Sequence, residues 1–166
     1  MEGVQPTHED ATSRVWYLRT GAETGGAVHE QRVEYLPGSP FPPNHLHPAQ
    51  DEHFEVESGR MLFVIDGTEH LLGPGEVIDV PRGTPHRARN ASTSDSAVVR
   101  WETRPALRTG EFFSMAARLG PERSVLDGAL LADEYREVVR LCGPVGRAVP
   151  LLARVARLRG RSLPGA

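Results

Sequence analysis

The sequence predicts a mainly β domain, a sandwich or barrel, followed by a short α-helical C-terminal part. Short β-forming runs broken by turn residues fill the chain from Arg14 to about Arg104, and helical periodicity begins after Pro105. A length of 166 residues with 39% hydrophobic residues fits one globular domain with some extra chain. We therefore predict an N-terminal tail over residues 1–13, a β-barrel over 14–105 and a helical extension over 106–166.

The predicted strands are short runs of β-forming residues separated by Gly, Pro, Asn and Asp. They are Val15–Leu18, Val28–Tyr35, His53–Glu57, Met61–Ile65, Val77–Val80, Arg87–Arg89 and Val98–Glu102. Asp66-Gly67 predicts a hairpin after one of these strands, because both central positions of a type I′ turn need a positive φ. On another strand, His29, Gln31, Val33 and Tyr35 share a face that we expect to point inward, and Val28, Glu30, Arg32 and Glu34 share the solvent face.

Three helices are predicted beyond the barrel. The first opens at Thr109 or Glu111 and runs through Arg118, the second spans about Ser124 to Leu141, and the third about Gly146 to Leu158. Ser124-x-x-Asp127 resembles a capping box at the start of the second helix. Its apolar stripe, Leu126, Leu130 and Val138, predicts packing on the barrel or on a neighbouring subunit.

Composition excludes several classes of function. All 19 basic residues are arginine, so no lysine can form a Schiff base, and a net charge of −3 argues against nucleic-acid binding. The sequence has neither a signal-peptide pattern nor an apolar run long enough to span a membrane, so we expect no membrane partner. The lone Cys142 cannot form an intramolecular disulfide and fits a reducing compartment, which predicts a cytoplasmic protein.

Two segments carry the chemistry. In the first, His45 and His47 are two residues apart, so on an extended strand both imidazoles leave the same face and can reach one ion. Glu52 shares its parity with Phe54 and Val56, which points the carboxylate inward. Gln50 or Asp51 would take its place if the loop geometry shifted by one or two residues.

The second segment, from Gly75 to Asn90, offers a further ligand. It puts His86 and Ala88 on one face, opposite Arg87 and Arg89. Together the two segments resemble the paired motifs of the cupin superfamily. The first matches G(X)5HXH(X)4E(X)6G except that six residues separate Gly38 from His45, and the second matches G(X)5PXG(X)2H(X)3N at every fixed position.

The resemblance implies a double-stranded β-helix, also called a jelly roll, with a metal near its axis. Carried over to this sequence, the ligands are His45, His47, Glu52 and His86, and the ion is one divalent transition metal: Fe, Mn, Ni or Zn. The resemblance also implies a homodimer formed through the outer sheet. Because some cupins have lost their metal, a barrel that serves only as a scaffold stays an alternative.

A small organic molecule with an apolar or aromatic part is the predicted substrate. Its pocket is predicted to contain Gln31, Phe54, Met61, Phe63 and Trp101, although Phe63 and Trp101 can also be ordinary core. Glu52, His29 and Tyr35 are the candidate proton-transfer groups. We predict a metal-dependent enzyme of the dioxygenase type. The alternatives are an isomerase or cyclase of a polyketide-like intermediate, and a ligand-binding barrel without activity; the second is less favoured because no recognition helix follows the barrel.

Overall fold

The computed structural model describes residues 4–120 and 122–165, which form eleven strands and three helices. The strands, β1 to β11 in chain order, are His8–Glu9, Ser13–Arg19, His29–Tyr35, His45–Leu46, Asp51–Ser58, Met61–Ile65, Thr68–Leu72, Val77–Val80, His86–Asn90, Ala97–Arg104 and Arg140–Leu141. All pairings are antiparallel. One sheet has the order β1-β2-β3-β10-β5-β8 and the other β11-β4-β9-β6-β7.

The two sheets share one apolar core, which fits a jelly roll. Burial alternates along β5, where Glu52, Phe54 and Val56 are buried and their neighbours are more exposed. Residues of both sheets then meet in a single cluster: Phe54, Val56, Met61, Phe63, Leu72, Val80, Ala97 and Val99. The mainly β fold class with a helical C-terminal part is therefore confirmed.

The predicted hairpin is also confirmed. β6 pairs with β7 from Met61↔Leu72 to Ile65↔Thr68, so the connection has two residues. These residues have positive φ, 47° at Asp66 and 81° at Gly67, as a type I′ turn requires.

One face assignment on β3 was wrong. Val28 and Glu30 were expected to face solvent, but the side chain of Glu30 is only 3% exposed and Val28 is buried as well. Arg19 and Arg100, on the two neighbouring strands, both pair with the Glu30 carboxylate. Sequence parity missed this because the pairing side chains come from two neighbouring strands.

The helices are α1 (Thr109–Leu119), α2 (Val125–Glu134) and α3 (Gly143–Leu158). Ser124 caps α2 as predicted, its hydroxyl accepting a hydrogen bond from the backbone N–H of Asp127. The predicted end of this helix at Leu141 was wrong: α2 ends at Glu134, the chain turns, and residues 140–141 form β11 beside β4. Pairing with the open edge of β4 satisfies backbone groups in a way that a longer helix could not.

The helical part has its own apolar core, a cluster separate from that of the barrel. Leu130 and Val138 are buried in it and Leu126 packs at its edge, so the predicted stripe is covered by the helical part itself rather than by the barrel. Within the described ranges, no helix has both the length and the apolar character needed to cross a membrane.

Candidate metal centre

Three histidines converge where the second sheet faces the barrel interior. His45 lies on β4, His47 directly after it, and His86 at the start of β9, where it is paired with His45 across the sheet. One ligand nitrogen from each of the three lies within 4.8 Å of the others. This triad could hold a metal ion.

Each imidazole is oriented by a hydrogen bond from its other nitrogen to a backbone carbonyl. The Nδ1–H groups of His45, His47 and His86 donate to the carbonyls of Pro43 (2.9 Å), Val138 (2.7 Å) and Thr84 (3.0 Å). We assign the Nδ1–H tautomer to all three on this basis. It leaves every Nε2 lone pair free to bind a metal, as is usual for metal-binding histidines.

Glu52 adds a carboxylate to the triad. Its Oε1 lies 3.2 Å from His47 Nε2, and its Oε2 lies 2.8 Å from His86 Nε2. The indole N–H of Trp101 donates to Oε1 at 3.0 Å. His47 Nε2 and Glu52 Oε2 are buried, yet neither makes a well-directed hydrogen bond to the described residues. Buried polar atoms are rarely left this way, so three nitrogens and a carboxylate fit a transition metal at this point.

The protonation states of His45 and Glu52 suit the same role. Burial, followed by the charges of His86 and His47, lowers the pKa of His45 to about 4. For Glu52, burial opposes ionisation, but the surrounding histidines outweigh it and keep the carboxyl pKa below its ordinary value. At neutral pH His45 is therefore a neutral imidazole and Glu52 a carboxylate, the forms that bind metals.

Gln50 and Asp51, the two alternatives to Glu52 as a ligand, point away from the histidines. The Gln50 amide donates to the carbonyls of Pro105 (2.8 Å) and Ala106 (3.1 Å) and to the Thr109 hydroxyl (2.8 Å), which ties the barrel to the start of α1. Asp51 accepts hydrogen bonds from Arg82 on the outside of the barrel. Of residues 50 to 52, only Glu52 faces the histidines.

The apolar residues predicted to form the pocket differ in how far they are exposed to solvent. Met61 and Phe63 are almost completely buried in the apolar core, and Phe54 is nearly so. Trp101 is half-buried, stacked on Phe54 at 5.1 Å and in edge contact at 5.3 Å with Phe113 of α1. Of these four residues, Trp101 is the one that is only partly buried.

His29 and Gln31 lie on the same inner surface. His29 pairs with Thr103, which pairs with Glu52, so two strand spacings of about 10 Å in total separate the backbones of His29 and Glu52. His29 Nε2 is 3.2 Å from Gln31 Oε1, and its buried Nδ1 has no described partner. Burial lowers the pKa of His29, with a smaller opposite effect from Gln31.

Tyr35 is the remaining candidate proton-transfer group. It packs against the apolar core at the other end of β3. Burial, with a smaller contribution from the charge of Glu52, raises its pKa above the ordinary value for a phenol. Its hydroxyl therefore stays protonated at neutral pH, which suits a hydrogen-bond donor better than a source of protons.

Sequence reasoning missed three contributors to this region. They are the Val138 carbonyl that orients His47, the hydrogen bond from Trp101 to Glu52, and Phe113 beside Trp101. A backbone carbonyl leaves no signature in the sequence, since every residue has one. The other two contacts join elements whose relative placement only the fold determines.

Fold and site together define a jelly-roll barrel with a candidate three-histidine, one-carboxylate metal centre. Residues 31–101 match the family model of the cupin domain. A cupin from Shewanella frigidimarina, described as RmlC-like, superposes with a TM-score of 0.55 at 18% identity, over 66% of this chain and 93% of that chain. Residues 31–101 of this chain are therefore similar to the cupin domain in sequence, and the barrel has the same fold as the Shewanella protein.

Two curated proteins are related in sequence. Oxidoreductase iacF of Pestalotiopsis fici is 43% identical over 89 residues, 52% of this chain and 41% of that protein. Dimethylsulfoniopropionate lyase DddQ of Ruegeria pomeroyi is 35% identical over 80 residues, 45% of this chain and 39% of that protein. The matched part of this chain thus spans about two fifths of the length of each relative.

Proposed function

We propose that this chain is a metal-dependent enzyme that acts on a small organic molecule, as a dioxygenase-like oxidoreductase. The observation that carries the proposal is the buried set of three imidazole nitrogens and the Glu52 carboxylate, with His47 Nε2 and Glu52 Oε2 left without hydrogen bonds. Such a set leaves one or two open positions on a five- or six-coordinate ion. Enzymes need open positions, whereas purely structural metal sites are closed.

In this proposal His45, His47, Glu52 and His86 hold the ion, which when bound supplies open positions for substrate and electron exchange with dioxygen. Trp101 fixes one oxygen of Glu52, and its partly buried ring is assigned to contact the apolar part of the substrate. Phe113 of α1 limits the access of water from that side. A half-buried aromatic wall favours a phenolic or polyketide-like substrate over a highly charged one.

Proton transfer is assigned to the inner surface of β3. With its Nε2–H donating to Gln31, His29 keeps a lone pair on Nδ1, and its lowered pKa keeps the ring neutral at pH 7. Nδ1 is then the atom that accepts a proton, while the Tyr35 hydroxyl, whose pKa is raised, serves as a hydrogen-bond donor to the substrate. The carboxylate oxygens of Glu52 lie 3.2 Å from His47 Nε2 and 2.8 Å from His86 Nε2, so we assign Glu52 to the metal rather than to proton transfer.

Redox chemistry is supported by the relative from Pestalotiopsis, which is named an oxidoreductase. The relative from Ruegeria is named a lyase, and this supports an alternative without a redox step. In the alternative the same site polarises a carbonyl or enolate, as in an isomerase, cyclase or lyase. A binding barrel without activity stays the third possibility. Homodimerisation and a cytoplasmic location stay predictions from the sequence.

The deciding experiment removes the metal and reconstitutes the protein separately with Fe(II) and Zn(II). Oxygen uptake and loss of phenolic or polyketide-like substrates are then followed with and without O2. We expect oxygen-dependent turnover by the iron form only. Oxygen-independent turnover by the zinc form would select the isomerase, cyclase or lyase alternative, and ligand binding with no turnover by either form would select the binding barrel.

A matched pair of histidine variants makes this test specific to the site. His86→Ala removes a candidate ligand. His53→Ala removes a histidine from the outer side of β5, where its ring is 2.7 Å from Asp79. Activity should be lost in the first and kept in the second.

A further inference from the structure

The chain that follows α2 touches β4 and the residue directly after it, which together provide two candidate metal ligands. We call residues 135–142 the return segment, because they bring the chain from α2 back to the barrel. The Val138 carbonyl accepts the Nδ1–H of His47 at 2.7 Å. Two residues later β11 pairs with β4, with Leu141 opposite His45, and the backbone N–H of Cys142 donates to the Asn44 carbonyl at 2.8 Å. His47 and His45 are thus both supported by this segment.

The start of the return segment is held to the beginning of α1 by Arg108, the residue just before that helix. The Arg108 guanidinium donates to the Glu137 carboxylate at 2.7 Å and to the Glu134 carbonyl at 2.7 Å. It also lies over the Tyr135 ring, 4.5 Å from the centroid. Val138 follows at 0% exposure, so the carbonyl that meets His47 belongs to a well-packed residue.

The end of the return segment is fixed by α3. Gly146, in the first turn of α3, lies so close to β11 that a Cβ there would be 1.8 Å from the Leu141 carbonyl oxygen. No side chain fits at that distance, so a larger residue must push the backbone of Leu141 away. Leu141 is the residue paired with His45, and any shift is therefore passed directly to β4.

We propose that the return segment positions His47 and His45, so that the packing of the helical extension sets the metal affinity of the barrel. The Val138 carbonyl is the positioning group for His47. This inference rests on the proposed metal-binding function. The other two imidazoles take their acceptors from nearby in the chain, His45 from Pro43 and His86 from Thr84, whereas His47 depends on a residue 91 positions away.

The physical reason is the role of the second nitrogen of a metal-bound imidazole. The hydrogen bond at Nδ1 fixes the tautomer and the ring orientation, and losing such a partner typically weakens metal binding by about 10- to 100-fold. Without the Val138 carbonyl, the His47 ring can rotate or carry its proton on Nε2, and either change takes the lone pair away from the ion.

Two pairs of variants test the inference in the full-length protein. Gly146→Ala displaces Leu141, and its control Gly128→Ala adds a Cβ within α2 where nothing lies within 4 Å. Arg108→Gln releases the start of the return segment, and its control Arg161→Gln breaks an ion pair with Asp127 at the far end of α2. Arg108 is a partly exposed residue, so its variant folds even if Gly146→Ala does not.

Two measurements are made on each variant. The first is the Zn(II) dissociation constant from competition with a chelator. The second is the NMR signal of the His47 Nδ1–H proton, with and without Zn(II), with the His86 Nδ1–H proton as internal reference. In Gly146→Ala we expect about 10-fold or weaker Zn(II) binding and loss of the His47 signal, while the His86 signal persists. Arg108→Gln should show the same change to a smaller degree, and both controls should match the wild type.

The outcomes separate this inference from the proposed function. Unchanged Zn(II) affinity together with an unchanged His47 signal in both test variants overturns the positioning role. Loss of the His47 and His86 signals together, with a lowered melting temperature, indicates general unfolding and also counts against it. If the wild type binds no metal, the proposed function fails, but the His47 signal of the metal-free protein still tests whether the return segment orients that ring.

Discussion

The barrel and the helical part contribute to the candidate metal centre through different kinds of groups. All four candidate ligand side chains, His45, His47, Glu52 and His86, come from the barrel. The helical part adds a backbone carbonyl and a two-residue strand, and neither depends on a particular side chain. Spacing within a sequence therefore reveals which side chains can bind a metal. The groups that orient those side chains can come from any residue that the fold brings close.

The largest expected effect comes from removing a ligand side chain of the barrel. We expect His47→Ala to reduce metal content from about one ion per chain to almost none, because a ligand lost outright costs more than a lost supporting hydrogen bond. The β-sheet signal in circular dichroism should persist, since the apolar core is unchanged. Elemental analysis of purified protein is the measurement, with His53→Ala as the control. Full occupancy in His47→Ala would rule out the ligand assignment.

A smaller effect is expected at the hydrogen bond between Trp101 and Glu52. Trp101→Phe keeps an aromatic ring but removes the indole N–H, so we expect metal binding to weaken by about 10-fold. Without metal, the unfolding free energy should fall by about 1–3 kcal/mol, because a buried carboxylate oxygen loses its donor. Trp16→Phe is the matched control, since its indole N–H bonds only to the Val4 carbonyl on the surface. Equal metal affinity in both variants would contradict the role of Trp101.

Two buried valines, one in each region, test which region affects metal binding. Val56 in the barrel core and Val138 in the return segment are both 0% exposed. Replacing either by alanine should lower the unfolding free energy by about 1–3 kcal/mol through lost burial and a small cavity. Only Val138→Ala should also weaken Zn(II) binding, because only its backbone touches a candidate ligand. Chemical denaturation and Zn(II) competition on both variants test this, and equal Zn(II) affinities would show that the return segment tolerates such a change.

The smallest effect is the pH dependence contributed by Glu30. Burial opposes its ionisation, but hydrogen bonds from Arg19 and Arg100 keep the net pKa below the ordinary 4.5. A carboxyl with a lowered folded-state pKa adds stability above its unfolded pKa and loses it as the pH falls through the folded value. Glu30→Gln should therefore be less stable than wild type at pH 7, and the difference should shrink below about pH 4.5. Urea denaturation at several pH values tests this, with the exposed Glu69→Gln as control.

The side chains that form the candidate site in the barrel could be predicted from the sequence alone. Two-residue spacing put His45 and His47 on one face, strand parity turned Glu52 inward, and Asp66-Gly67 fixed a two-residue hairpin through its positive φ values. Each of these inferences uses contacts within a few residues, where backbone geometry leaves few choices. The fold class followed from the same local patterns, because alternation and turn residues recur along the barrel.

The long-range contacts could not be predicted from the sequence and became apparent only in the folded chain. The end of α2 at Glu134 and the formation of β11 depend on a free edge at β4, about 95 residues earlier, which helical periodicity cannot reveal. The burial of Glu30 depends on two arginines from other strands. The acceptor for His47 is a main-chain carbonyl, a group that every residue has, so only the folded chain determines which carbonyl meets the ring.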